Sequence, residues 1–209
     1  MLRVRLGGVG LGGFDLSGGR QSLSGDTLTV RVEPDTLLQA NFQIPAPPSQ
    51  FGPYMRPELL LQSDDPRIQA QARQIVGRER SPRRVAEQLN RWVHDHLIKA
   101  ITVSVPSAVQ VLESRRGDCN EHTVLYVALA RSLGLPARTA AGLVHVEGRF
   151  YYHAWPEVYL GDWVAVDPTF GQFPADASHL RFTVGGLARQ VELIRLIGRL
   201  QLDVLQSEP

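Results

Sequence analysis

Cysteine is nearly absent: Cys119 is the only one in 209 residues. No intrachain disulfide can form, so the fold depends on a packed core, and the lone thiol becomes a candidate for chemistry rather than half of a staple. An excess of charge of either sign is lacking too. Twenty-two Lys and Arg against 21 Asp and Glu leave a net charge of +1, which gives no electrostatic case for nucleic acid or an anionic membrane as partner. No apolar run approaches the about 18 residues of a membrane span. The short, interrupted apolar stretches near the start do not make the core of a secretory signal, so a cytoplasmic location is the default expectation. Clusters of acidic residues suited to calcium are missing. The residues present suffice for a core. Hydrophobic residues make up 43% of the chain, and its length fits one domain of ordinary size with a small N-terminal appendage.

Glycine and proline dominate the opening. Gly8-Val9-Gly10-Leu11-Gly12-Gly13 matches the dinucleotide pattern G-x-G-x-x-G. No convincing strand is read before it and no helix after it, so it is set aside as a cofactor site. Leu28 to Val32 alternates as a strand does. Ile44 to Pro57 carries five prolines and reads as an extended connector, with Phe51 and Tyr54 along it. The expected division is 1–57, a glycine-rich β segment and proline-rich linker, with a catalytic domain over 58–209. The abrupt start suggests the tail of a longer protein.

Asp64-Asp65-Pro66 opens a helix with a carboxylate cap and proline in its first turn. Ser81-Pro82 predicts a second helix begun in the same way, whose Val85, Leu89, Trp92, Val93 and Leu97 share one face. His94 and His96 point apart on that helix, which is wrong for a shared metal, and read as helix-end residues. Arg78, Arg80, Arg83 and Arg84 read as a solvated corner. Ser107 caps a short helix to Leu112, and Arg115 and Arg116 in the turn beyond it read as pointing into water.

The stretch from Ser114 to Pro136 organises the rest of the chain. Gly117-Asp118 reads as a turn and Thr123 onward as a helix with a broad apolar stripe, stopped by Gly134 and Pro136. Cys119 therefore sits at or next to the N-terminus of a mostly buried helix, where backbone N–H groups and the helix dipole favour an anion. The thiolate is the form that attacks, and it needs a base and a group to hold that base. Phe150 to Tyr159 is an aromatic and β-branched run that reads as a strand carrying His153. Trp163 to Thr169 is a second such run, carrying Asp167. The Gly161-Asp162 turn makes the two a hairpin, able to set a His and an Asp on one face. Arg138 to Val146 is one more strand, turned by Glu147-Gly148. Beyond these, His179 to Val184 reads as an edge strand, Leu187 to Ile197 as a helix and Leu200 to Val204 as a last strand. A helix and then antiparallel strands make an α+β arrangement. Asp118 and Glu121 would flank the thiol and tune its charge. Cys119, His122, His153 and Asp167 are also of types zinc accepts, so a metal-dependent hydrolase is an alternative.

Five ordered pieces resemble one known family. Gly-Asp-Cys at 117–119 with its apolar helix, Ala-Arg-Ser-Leu-Gly-Leu-Pro-Ala-Arg at 130–138, Gly-Leu-Val at 142–144, His-Ala-Trp-Pro-Glu-Val-Tyr at 153–159 and Trp-Val-Ala-Val-Asp-Pro-Thr at 163–169 are similar to the transglutaminase-like core. This papain-like cysteine superfamily includes microbial proteases and amide-processing enzymes as well as cross-linking transglutaminases. The similarity runs from Pro106 to Phe170. It implies an α+β papain-like fold with a nucleophile-bearing helix packed on an antiparallel sheet. It implies Cys119 as nucleophile, His153 as base and acid, and Asp167 as the group that orients His153, with no cofactor or metal and with a peptide or protein as substrate. Tyr152 and Trp155 are candidates for the wall on the acyl side. The chain lacks the large flanking β-domains of the cross-linking enzymes, which favours hydrolysis of a thioester over transamidation. A non-catalytic peptide-binding module of the same fold is a further reading, and an intact Cys-His-Asp set argues against it. A thiol redox protein is disfavoured, since no second cysteine exists to resolve a disulfide.

Overall fold

A computed structural model describes residues 1–101 and 107–208; Pro106, where the family similarity begins, lies outside the described residues. Three strands come first: β1 (Leu2–Gly7), β2 (Gln21–Ser24) and β3 (Thr27–Val30). In β1 the buried Leu2, Val4 and Leu6 alternate with exposed Arg3 and Arg5, the pattern of a strand with one covered face. This strand runs directly into Gly8–Gly13, so the expectation that no strand precedes the glycine run does not hold; turns, and no helix, lead from there to β2.

The proline-rich stretch is neither extended nor unpacked. Pro48–Phe51 forms a helical turn, α1. Phe51 is buried with its ring centroid 5.5 Å from that of Phe42 and 4.7 Å from that of Tyr159. Proline fixes φ near a value that serves a first helical turn as well as an extended chain; burial of the aromatic ring decides between them. Next come α2 (Pro66–Val76) and α3 (Pro82–His96). Asp65 caps α2 by accepting the Arg67 N–H at 2.8 Å. Ser81 makes no such cap with its side chain. Just before the helix, Glu79 Oε1 accepts the N–H groups of Arg80 and Ser81 at 2.9 and 2.8 Å.

β4 (Ile98–Lys99), α4 (Ala108–Ser114), β5 (Arg116–Gly117) and α5 (Cys119–Ser132) lead to the thiol. Ser107 and Gln110 cap α4 reciprocally. Arg115 does not point into water: its guanidinium lies 4.5 Å from the centre of the Trp92 ring and donates to Gln71 at 3.1 Å. The rest is β6 (Ala137–Val146), β7 (Arg149–Tyr159), β8 (Trp163–Ala165), β9 (His179–Val184), α6 (Leu187–Gln190) with a 3-10 turn over Val191–Leu196, and β10 (Gln201–Ser207).

Contacts gather these elements into two compact units. One comprises Met1–Glu33, Ala140–Ala154 and the chain from Ala175 onward. In it a four-stranded sheet has the order β10-β1-β3-β2, all neighbours antiparallel. The same unit places β6 between β7 and the edge strand β9. The other unit comprises Pro34–Thr139 and Trp155–Pro174. There α5 packs against α2, α3 and α4. Leu125 to Ala130 have no exposure on any side, so this part of α5 is a core helix rather than a surface one. Tyr126 reaches through that core to donate its hydroxyl to the Ala86 carbonyl at 3.1 Å. Val158, Leu160, Val164 and Val166 from the β7–β8 hairpin share the same core. The helix that bears the cysteine thus packs with antiparallel strands in a mixed α+β fold.

Candidate active site

The helix α5 begins at Cys119, four residues before the predicted Thr123. A reciprocal cap explains the earlier start. Asp118, the N-cap, accepts the Asn120 N–H at 2.9 Å, and Glu121 Oε2 accepts the Asp118 N–H at 2.8 Å. Two helix-end donors that water would otherwise satisfy are held by protein. Glu121 is buried, and Gly117 makes room for it: a Cβ on Gly117 would come within 2.1 Å of Glu121 Cβ. Cys119 itself is half-buried, and its carbonyl accepts the Thr123 hydroxyl at 2.7 Å. Burial and the neighbouring Glu121 push the Asp118 carboxyl up to about 6.

His122 lies one turn into α5 and is fully buried. Its Nδ1 is 2.6 Å from the Asp118 carbonyl, an acceptor, so Nδ1 carries the proton and donates. Burial holds this imidazole below its ordinary pKa, against opposing pulls from the Asp118 carbonyl and then from Asp167.

Asp167 lies two residues beyond β8 and is fully buried. Its Oδ1 accepts the N–H groups of Thr169 and Phe170 at 2.7 and 3.0 Å. Its backbone exchanges two hydrogen bonds with Gln172, both 2.9 Å. The loop so formed is braced by α3: His94 Nδ1 lies 3.1 Å from the Pro168 carbonyl, a role for a residue read from sequence as a mere helix end. In the hairpin Glu157 pairs with Ala165, so extending the register sets Asp167 opposite Trp155. Arg138 supports this hairpin, binding Glu157 at 2.7 and 2.6 Å and lying 4.1 Å from the Trp163 ring centre.

On β7, Arg149 to Tyr152 are mostly exposed and His153 to Val158 are buried. His153, 4% exposed, is where the strand enters the interior. Tyr152 just before it is 45% exposed and donates its hydroxyl to Gln190 Oε1 at 3.2 Å. Trp155 is 1% exposed. Cys119, His122, Trp155 and Asp167 belong to the unit built on α5, and Tyr152 and His153 to the other. Sequence reasoning leaves His179 out of the site. It is buried at the start of β9, and its ring centroid is 5.6 Å from that of His153. Its one sequence signal is the Asp-x-Ser-His run at 176–179, which places three polar groups at the mouth of an apolar strand.

Residues 69–168 match the family model of the transglutaminase-like superfamily. This stretch, just under half of the chain, is similar to a transglutaminase-like core. The matched span takes in Cys119, His153 and Asp167 and ends one residue past the last of them. An uncharacterized protein of Mycobacterium leprae (strain TN) is 30% identical over 106 residues, which are 45% of this chain and 37% of that protein. The structure named "Putative Cysteine Protease from Cytophaga hutchinsonii" superposes with a TM-score of 0.63 at 19% identity, covering 83% of this chain and 61% of that one. The periplasmic domain of TgpA from Pseudomonas aeruginosa aligns at a TM-score of 0.46 and 22% identity over 60% of this chain and 49% of its own. This chain therefore spans less than two thirds of each of these proteins. The superposition on the Cytophaga structure shows that the two chains share a fold.

Proposed function

We propose that the chain hydrolyses an amide bond in a peptide or protein, through a thioester on Cys119 and with His153 and Asp167 completing a triad. The observation that carries this reading is the place of Cys119 as first residue of a buried helix within the stretch that matches the transglutaminase-like family model. A thiol at a helix N-terminus has its thiolate favoured by the dipole and the backbone N–H groups. In the proposed cycle His153 takes the proton of the Cys119 thiol, and Sγ attacks the carbonyl carbon. The proposed oxyanion donor at the helix start is the Cys119 N–H; that of Asn120 is already given to Asp118. The His153 imidazolium then gives its proton to the departing amine as the C–N bond breaks. His153 next removes a proton from water, the hydroxide attacks the thioester, and the acid leaves with Cys119 restored as thiolate. Asp167 holds and orients the imidazole through the other ring nitrogen. Its carboxylate suits that part, since Oδ1 is already fixed by two backbone N–H groups. Of the two wall candidates, Tyr152 is the exposed one and is assigned the substrate contact; buried Trp155 backs the strand.

The test is the pH dependence of iodoacetamide alkylation at Cys119, in wild type and in His153→Ala. Fast reaction well below the free-thiol range of about 8.5, lost in the variant, is the expected result. A profile that His153→Ala leaves unchanged would sink the triad.

A further inference from the structure

The unit that carries His153 contains a second buried imidazole that the proposed triad does not use. His179 is 1% exposed, opens β9 and pairs in register with Val144 of β6. A buried histidine is costly unless its nitrogens are satisfied, and this one is tied down locally. Its Nδ1 lies 3.2 Å from Asp176 Oδ1 and 3.3 Å from the Asp176 carbonyl. Both partners are acceptors when Asp176 is ionised, so Nδ1 carries the proton. Asp176 is itself fixed: its Oδ1 accepts the Ser178 N–H at 2.9 Å and also the Ser178 hydroxyl. The hydrogen bond from His179, and then those from Ser178, hold its carboxyl below the usual carboxylate range. The His179 ring is thus locked in one tautomer by a short polar turn.

The locked ring faces His153. The centroids are 5.6 Å apart and the planes meet at 57°, within the range of about 4.5–7 Å at which aromatic rings pack against one another. The strand between the two histidines allows this. The two-residue turn Glu147-Gly148 sets Val146 opposite Arg149, and the same register sets Gly142 opposite His153. Gly142 pairs with Arg181 on the other side, two residues from His179. Side chains of paired residues share a face of a sheet, so this register puts His153 and His179 on one face with a glycine in the strand between them. A Cβ on Gly142 would meet the Leu180 carbonyl oxygen at 2.0 Å, so β6 and β9 come close there.

We propose that His179 is a positioning residue for His153: anchored by Asp176, its ring forms the fixed wall that holds the His153 imidazole in one rotamer. The inference rests on the reading of His153 as the catalytic base, and its physical content concerns the imidazole alone. Catalytic geometry requires the base to keep its orientation between turnovers. His153 stands at the entrance of the strand next to exposed Tyr152, and the anchored His179 ring is a rigid neighbour for it.

The experiment is NMR of the full chain with isotope-labelled histidine, read together with Cys119 alkylation. In wild type, NOEs between the His153 and His179 ring protons and a single His153 tautomer signature are expected; absence of the NOEs overturns the proposal without any variant. His179→Ala is expected to broaden or average the His153 ring signals and to slow alkylation at neutral pH about 10-fold. His179→Phe keeps a ring and is expected to restore sharp His153 signals and most of the rate. Asp176→Asn is expected to fall between them. An unchanged His153 signature in His179→Ala overturns the proposal, as does a His179→Phe protein that folds but behaves like the alanine variant. The two readings fail separately. If His179→Ala disturbs the His153 ring while alkylation ignores both His153→Ala and His179→Ala, the catalytic reading falls and the positioning contact stands.

Discussion

Replacing Gly117 by alanine tests how tightly the start of the nucleophile helix is built. Gly117 is not in a left-handed conformation, so the cost comes from space alone. The new Cβ would stand 2.1 Å from Glu121 Cβ and 2.4 Å from Cγ. These atoms sit at the root of a side chain, so a rotamer change cannot clear them, and either the turn or the first turn of α5 has to move. Overpacking of this kind costs about 1–3 kcal/mol, and loss of the Asp118–Glu121 cap adds about 1 kcal/mol. The expected total of about 2–4 kcal/mol corresponds to a fall in Tm of about 4–16 °C for a chain of this size. Thermal melting by circular dichroism measures it. A second substitution tells clash from cap. Glu121→Ala keeps its Cβ and should not rescue Gly117→Ala, whereas Glu121→Gly removes the obstacle and should recover part of the loss despite the helix penalty of about 1 kcal/mol for glycine. Strictly additive double variants, or a Gly117→Ala protein that melts with wild type, would refute the steric argument.

The same structure sets other expected outcomes. Arg138→Ala takes the paired cation from the Glu157 carboxylate, whose side chain is 2% exposed, and is expected to cost about 3–5 kcal/mol in urea denaturation; a loss under about 1 kcal/mol would contradict it. Asp118 is pushed up to about 6. A carboxyl raised on folding holds its proton better in the native state, so its contribution is complete below about pH 4 and is lost as pH rises through about 6. Wild type should therefore lose Tm relative to Asp118→Asn across that window, and parallel curves would refute the assignment. Asp167→Asn keeps an oxygen for the Thr169 and Phe170 N–H groups and is expected to lower kcat on a cleaved peptide by about 100-fold or more with little change in melting. Dialysis against EDTA should leave both alkylation and hydrolysis unchanged; a loss restored by zinc would favour the metal-dependent alternative.

Local signals in the sequence carry far along this chain. Caps at Asp65 and Ser107, the apolar faces of α2 and α3, and the glycine turns around β7 are readable because each element states its own period and its own stop. The candidate residues are readable for another reason: Cys119, His153 and Asp167 each sit in a short motif. Features decided by a distant partner do not show. The first turn of α5, Cys-Asn-Glu-His, has no apolar period, so sequence alone starts the helix at Thr123. The Asp118-x-x-Glu121 pattern is the cue, and it is a polar one. The proline-rich stretch looks extended because nothing local says that Phe51 meets Tyr159. β1 escapes notice before the glycine run since its partners are β3 and β10, the latter at the far end of the chain. His179 escapes for the same reason, because only β-sheet register brings it against His153.

The pairing of β1 with β10 has a consequence for how the chain is made. Leu2 faces Ser207, and the N-terminal amine donates to the Glu208 carbonyl at 2.9 Å. Of these elements, a ribosome makes β1 well before β10. Until then one side of β1 carries open N–H and C=O groups, the kind of edge that invites pairing with another chain. Closing this contact spans about ten times the length of a 20-residue loop and costs about 2 kcal/mol more in chain entropy. The stretch from Pro34 to Thr139, uninterrupted in sequence, can settle α2 to α5 while the nascent chain is still incomplete. The order of assembly is thus written into the topology, with the cysteine helix early and the closing strand later.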